Sequence, residues 1–311
     1  MPAKPSFLSK LRIPVVAAPM FLVSGPELVI ASCKSGVLGT FPALNPRTDK
    51  LLDEWLVKIK SEISNAPYGV NLIVHKTNNR LETNMEQIVK HKVPVVITSL
   101  GAVKDVVDEI HRYGGVVFHD VTNIVHARKA ISAGVDGLIA VTAGAGGHAG
   151  LMSPFALVPQ LRNEFDGTIL LGGAISTGGG VRAAKALGAD LAYLGTQFIA
   201  TKESMASQAY KEMCVNPKLG PPPSFLPTVY TDKISGVNAN FLIESLERNG
   251  IDLSATSKGT EDFSKLHADG KTASGKAWKD VWSAGHGVTN MKKIESVAEL
   301  VDRLEREYKL A

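Results

Sequence analysis

The stretch TILLGGAISTGGGVRAAKALGADLAYLGTQFIAT, residues 168–201, decides the fold. A continuously apolar run, Thr168 to Gly173, leads into a glycine-rich turn. Val181, Ala184 and Leu187 then recur at helical spacing, and a second apolar run, Leu191 to Gly195, follows. Unbroken apolar strands belong to a parallel sheet whose two faces are both covered, and the intervening amphipathic helices supply the cover. Upstream, similar runs recur at VVAA (Val15 to Ala18), VLGT (Val37 to Thr40), YGVNLI (Tyr68 to Ile73), VVITS (Val95 to Ser99), VVFHD (Val116 to Asp120) and GLIAV (Gly137 to Val141). Helix-like segments separate them, one with Val103, Val106, Val107 and Ile110 on a single face. Eight such units predict a TIM (β/α)8 barrel, with a doubly wound open sheet as the structural rival.

The C-terminal segment sets Ile294, Val297, Val301, Leu304 and Tyr308 on one stripe, as the last outer helix of a barrel requires. Between the two the texture changes: clustered prolines in PKLGPPPSFLPT, then TDKISGVNANFL, then the polar KGTEDFSKLHADGKTASGK. Prolines disfavour regular helix there, and a structureless loop of this length is unusual in a compact domain. The expected organisation is therefore a barrel over 1–214, a small inserted domain or lid over 215–277, and a return to the barrel over 278–311.

Composition limits the function classes. The 311 residues are 44% hydrophobic and 21% charged, enough to bury a large core. Lys+Arg 34 against Asp+Glu 30 gives a net charge of +4 with no basic stripe, so nucleic acid is not an expected partner. The N-terminus lacks the apolar core of a signal peptide, and no apolar run reaches the ~18 residues of a membrane span. Cys33 and Cys214 are the two cysteines, too few for a disulfide framework. The expectation is a cytoplasmic protein with no membrane partner, compatible with a homo-oligomer.

Chemistry concentrates at the ends of the later strands. Gly172 and Gly173, with Gly178, Gly179 and Gly180 opening the next helix, allow backbone N–H groups to approach an anion, and the helix N-terminus adds a favourable dipole. Gly195, Thr196 and Gln197 follow the eighth strand. The loops after strands seven and eight are the usual phosphate site of a barrel. After the sixth strand comes GAGGHAG, in which Gly147 precedes His148, an imidazole on a flexible loop at the catalytic face. Asn71 lies in the third strand, Ser99 ends the fourth and His119 and Asp120 end the fifth, so all are expected to line the barrel mouth, with His119 and Asp120 on opposite faces and so unable to form a metal pair. Pro19, Met20, Phe21 and Leu22 follow the first strand as an apolar wall. His75, His91, His111, His126 and His267 read as surface residues, the cysteines read as structural, and no metal is expected.

AAPM near the start, YGVNL, AGAGGHAG, GGAIS with GGGVRAAKALGAD, LGTQFIAT and WSAGHGV together resemble the nitronate monooxygenase family of FMN-dependent barrels with a small inserted domain. The resemblance runs from Ile13 to Thr201 and resumes at the C-terminus. It implies that Gly172, Gly173, Gly195 and Thr196 hold the FMN phosphate, while Ala18, Pro19, Met20 and Asn71 line the isoalloxazine. Ser99, Asp120, Gly147 and Gln197 complete the expected cofactor site. His148 is the implied catalytic residue, facing substrate together with Met20, Phe21 and His286. Three positions depart from the pattern: Asp120 stands where several relatives have lysine, His286 where they commonly have glutamine, and Gly144 where an acidic or amide residue often stands.

The implied activity is oxidation of alkyl nitronates or nitroalkanes with O2 to carbonyl compounds. An alternative is an NAD(P)H-dependent flavin reductase acting on quinones or enoyl thioesters. A third is a flavin-free protein that binds a phosphorylated ligand.

Overall fold

A computed structural model describes residues 4–101, 104–253 and 279–311. In chain order the elements are β1 (Val15–Ala17), α1 (Pro26–Lys34), β2 (Leu38–Pro42), α2 (Asp49–Glu62), β3 (Tyr68–Ile73), α3 (Leu81–Lys90), β4 (Val95–Ser99), α4 (Lys104–Arg112), β5 (Val116–Val121), α5 (Ile124–Ala133) and β6 (Gly137–Val141). Then come β7 (Gly147–His148), α6 (Pro154–Arg162), β8 (Thr168–Gly172), α7 (Gly178–Ala186), β9 (Leu191–Leu194), α8 (Thr196–Ile199), α9 (Gln208–Val215), β10 (Thr228–Thr231), β11 (Ala239–Leu242), α10 (Ile243–Arg248) and α11 (Val297–Leu310).

The eight runs expected from the sequence are the eight strands of a closed parallel barrel, in the order β1-β2-β3-β4-β5-β6-β8-β9. Closure pairs Val15, Val16 and Ala17 with Ala192, Tyr193 and Leu194. Period-two alternation along each strand separates two cores. Val16, Leu38, Val95, Ile97, Phe118, Ile139, Leu170 and Leu191 fill the interior, with Phe7, Leu8 and Leu11 of the N-terminal segment packed against them. The other set, including Val15, Val70, Val96, Val117, Leu138 and Ile169, packs outward under the helices, where Val107, Ile110, Val181 and Ala184 are buried as the helical spacing predicts. Val103 lies outside the described residues.

The last helix starts later than its apolar stripe. Ser296 caps α11 by accepting from the Glu299 N–H while the Glu299 side chain accepts from the Ser296 N–H, so Ile294 precedes the helix and packs elsewhere. Val297, Val301 and Leu304 are buried in the main core. This helix corrects the reading of Gly178. A Cβ there would come within 2.2 Å of Leu304 O and Tyr308 N, so glycine is required for α7 to lie against α11. Two of the three leading N–H groups of α7 are already satisfied: Thr177 Oγ1 accepts from the Gly180 N–H at 3.1 Å, and Glu307 Oε2 accepts from the Gly178 N–H at 2.7 Å. A carboxylate of the chain itself occupies the place where an anion would bind.

Within the expected insert, β10 and β11 form an antiparallel pair, and β11 continues onto β7 with Ala239 opposite His148 and Asn240 opposite Gly147. Ile234, Phe241, Leu246 and Val281 make a small core of their own. The polar stretch expected at 258–276, with His267, lies outside the described residues.

Of the histidines read as surface residues, one is buried and an exposed one borders the site. His91 is buried, its Nε2 2.7 Å from Asp53 Oδ1, because α2 and α3 bring the carboxylate to it. His126 is exposed, yet it belongs to the wall of the cavity described next. Cys33 and Cys214 are buried, and burial pushes the Cys33 thiol up to about 12 and the Cys214 thiol higher, which makes both unreactive.

Candidate active site

A cavity of about 920 Å³ opens at the C-terminal ends of the barrel strands. Its floor follows from the alternation that fills the barrel: one step beyond Ile97, Phe118 and Leu191 come Ser99, Asp120 and Tyr193, which point the same way and replace apolar packing with polar groups. Asn71 joins them from β3. Its Nδ2 donates to Ile97 O at 3.0 Å and to Ser99 Oγ at 2.7 Å, leaving Oδ1 as the acceptor for the cavity. Ser99 Oγ donates in turn to Asp120 Oδ2. Burial raises the Asp120 carboxyl to about 6, partly countered by that hydrogen bond, and the Tyr193 hydroxyl is raised by burial and by the Asp120 charge. His119 occupies the opposite strand face, as expected, with Nδ1 2.7 Å from Thr98 Oγ1, and burial lowers it to about 4.

One wall is the turn after β1, where Ala18, Pro19, Met20 and Phe21 line the cavity. Leu22 adopts φ 60, a conformation that L residues rarely hold without support. Asn45 supplies it: Oδ1 accepts from the Leu22 N–H at 2.9 Å, and Nδ2 donates to Met20 O at 3.0 Å and Ser24 O at 2.7 Å.

A second wall carries the glycine loops. Gly172, Gly173, Ala174, Gly195 and Thr196 all line the cavity. Gly173 has φ +144, and a Cβ there would fall 2.2 Å from Thr142 Oγ1. Among the described residues, the N–H groups of Gly173, Ala174 and Gly195 meet no protein acceptor. Thr196 Oγ1 accepts from the Gly285 N–H at 2.8 Å, which leaves its own O–H free to donate. Several donors on this wall thus have no acceptor among the described residues.

The third wall is β7. Glycine at 146 and 285 lets two backbone segments touch, since a Cβ on Gly146 would meet Gly285 N at 2.6 Å and one on Gly285 would meet Gly144 O at 2.5 Å. The loop is then fastened from three directions. Ser283 Oγ accepts from the Gly147 N–H at 2.6 Å and donates to Asn240 O at 2.5 Å, and Asn240 Nδ2 donates to Ala145 O at 2.7 Å. Tyr230 OH donates to Ala149 O at 2.7 Å. His148, held between these anchors, lines the cavity, and desolvation lowers it to about 4. Desolvation thus favours the neutral ring over the cation at pH 7.

Of the expected site residues, Gln197 and His286 stand apart from this lining. Gln197 is buried, its Nε2 donating to Gly287 O at 3.0 Å. The His286 N–H donates to Gly144 O at 2.9 Å, and the ring packs at Gly144, one layer behind the wall. The cavity also takes in residues the sequence reading did not assign to it: Tyr193, Thr122, Asn123, His126, Lys129, Tyr230, Asn238 and Ser283. Tyr193 alone was legible, as the inward neighbour of Leu191 by strand parity.

A closed barrel with converging donors after its last two strands and an imidazole on the opposing loop is the framework of a small-molecule oxidoreductase. The fold is shared with nitroalkane oxidase from Streptomyces ansochromogenes at TM-score 0.82 and 24% identity, covering 99% of both chains. It is shared with FabK from Thermotoga maritima at TM-score 0.76 and 23% identity, covering 97% of this chain and 94% of that one. Nitronate monooxygenase of Paraburkholderia phytofirmans is 24% identical over 345 residues, 95% of this chain and 92% of that protein. The family model for nitronate monooxygenase matches residues 5–307, and the chain belongs to that family. No described helix is long and apolar enough to cross a membrane.

Proposed function

We propose that the chain is an FMN-dependent nitronate monooxygenase, oxidising alkyl nitronates or nitroalkanes with O2 to carbonyl compounds. The observation that carries this reading is the position of His148, a neutral imidazole on the wall of a 920 Å³ cavity whose glycine wall presents unused N–H donors. The residues fit the cofactor. Gly173, Ala174, Gly195 and Thr196 supply donors for a phosphate, and the absence of side chains at Gly172 and Gly195 leaves backbone open to close approach. Asn71, Ser99, Asp120 and Tyr193, with Ala18, Pro19 and Met20, line the same cavity and would hold the ring system.

FMN, when bound, accepts the substrate's electrons and passes them on to O2. The chain's residues prepare that exchange. His148 takes the α-proton of a neutral nitroalkane on a ring nitrogen, for which its uncharged state is required. Toward a substrate that arrives already as the anion, the same ring donates an N–H to the nitronate oxygens. Met20 and Phe21 exclude water from the apolar side of the substrate, and the Asn45 bonds fix the turn that carries them.

The test is the visible spectrum of the purified protein, followed without oxygen by addition of an alkyl nitronate and, separately, of NADH. A flavin spectrum bleached by nitronate and untouched by NADH supports the reading. Bleaching by NADH alone moves the protein to the reductases, and a protein that acquires no flavin refutes both.

A further inference from the structure

Asp120 is the sole carboxylate among the described residues lining the cavity, and it faces inward from the floor. Among the described residues no lysine or arginine pairs with it; Lys129, the sole ammonium or guanidinium of the described lining, belongs to α5, beyond the floor. The groups around it are otherwise neutral. Ser99 on β4 donates to Oδ2, Asn71 on β3 donates to Ser99, and Ile139 opposes Asp120 on β6. Tyr193 on β9 is held protonated by burial, and Gly172 closes the ring from β8. His119 turns to the other face of the same strand, His148 stands on the separate strand β7, and His126 accompanies Lys129 on α5. Oδ1 accepts from no described donor. Asp120 is half-buried, with one hydrogen bond and no counterion among the described residues, so additional negative charge placed over the floor, where it also displaces water, acts on the carboxylate with little screening.

Resting on the flavin reading above, we propose that Asp120 is a charge-compensating proton acceptor, taking a proton onto its carboxylate when the bound flavin receives two electrons. The balance is simple: the reductant loses two electrons, the flavin gains them, and one proton passes from solvent to an Asp120 oxygen in addition to any that the flavin itself takes up. Asp120 is in this sense a positioning residue for charge, distinct from His148, which handles the substrate's proton. The carboxylate replaces the cation that the family resemblance led one to expect, and protonation on demand removes the repulsion that the exchange would otherwise create.

The experiment measures the flavin reduction potential of the holoenzyme against pH from 5 to 9, using a reference dye, for the parent protein and for Asp120→Asn. One extra proton per two electrons adds about 30 mV per pH unit to the slope. Above about pH 6, where the carboxylate starts out charged, the parent should be steeper than Asp120→Asn by that amount; below pH 6 the two slopes should converge. Ser99→Ala, which removes the bond favouring the charged form, should move the onset to higher pH and decides the matter if Asp120→Asn does not fold. Equal slopes in parent and Asp120→Asn, or an onset unmoved in Ser99→Ala, overturn the proposal while leaving the flavin reading intact. A parent protein without flavin overturns both, and the spectrum taken beforehand distinguishes the two failures.

Discussion

Replacing Ser283 by alanine deletes one oxygen atom and tests how the catalytic loop is held. Ser283 is 6% exposed, and its Oγ accepts from the Gly147 N–H at 2.6 Å while donating to Asn240 O at 2.5 Å. Neither backbone group has a ready substitute, because β7 is two residues long and its other neighbours are committed to Asn238 and Tyr230. Each partner left unsatisfied costs about 1–3 kcal/mol. Opening of the Gly147 amide should become easier by that amount, which at 25 °C corresponds to hydrogen exchange about 5- to 150-fold faster. The assay is hydrogen exchange by mass spectrometry on peptides spanning residues 144–150, with the β8 strand at 168–172 as the internal control. Turnover of a neutral nitroalkane should fall as well, because His148 is the next residue along. Exchange over 144–150 within twofold of the parent would refute the account of Ser283 as the anchor of the loop.

His148→Asn should retain flavin and lose turnover of the neutral nitroalkane by about 10²- to 10⁴-fold, the usual contribution of a general base, with a smaller loss on the preformed nitronate; steady-state kinetics on both substrates checks this. Gly173→Ala should destabilise the protein and abolish flavin binding, since the new Cβ would collide with Thr142 Oγ1, whereas Gly195→Ala meets no atom closer than 3.5 Å within the chain and should weaken flavin binding without lowering the melting temperature. Fluorimetric titration with FMN beside thermal melts separates the two. Acidification should unfold the protein through His119 and His148: each has a folded-state value of about 4 against 6.5 for the free group, so each contributes about 3 kcal/mol that is present above pH 6.5 and lost as pH falls toward 4. Asp120, raised from 3.8 to about 6, works in the opposite sense over that window, so Asp120→Asn should lose stability more steeply below pH 6 than the parent in urea titrations.

Much of the barrel was written locally. A strand buried on both faces is apolar along most of its length, so Thr168 to Gly173 and its seven counterparts announce themselves without reference to any partner. Gly173 and Gly195 were legible for a similar reason, as glycines at fixed places after strands seven and eight. His148 stood out because glycines surround it. Gly178 to Gly180 had the same local signature and a different cause: the need for glycine at 178 comes from α11, more than 120 residues away, and from Glu307, which takes the place an anion would fill.

Legible in the sequence alone, therefore, were the eight barrel strands, the helices between them, their parallel arrangement and the end of the barrel where chemistry collects, because each depends on the period and composition of a few neighbouring residues. Tertiary structure alone decided the rest. His148 belongs to a sheet with β11 and is fastened by Ser283, His286 sits behind the wall instead of in it, and His91 is buried against a carboxylate from another helix. The charge state of Asp120 and of His148 is of the same kind. An ionisable side chain carries no local mark of its burial, and the desolvation that shifts it is the sum of groups brought together from β3, β4, β9 and the C-terminal return.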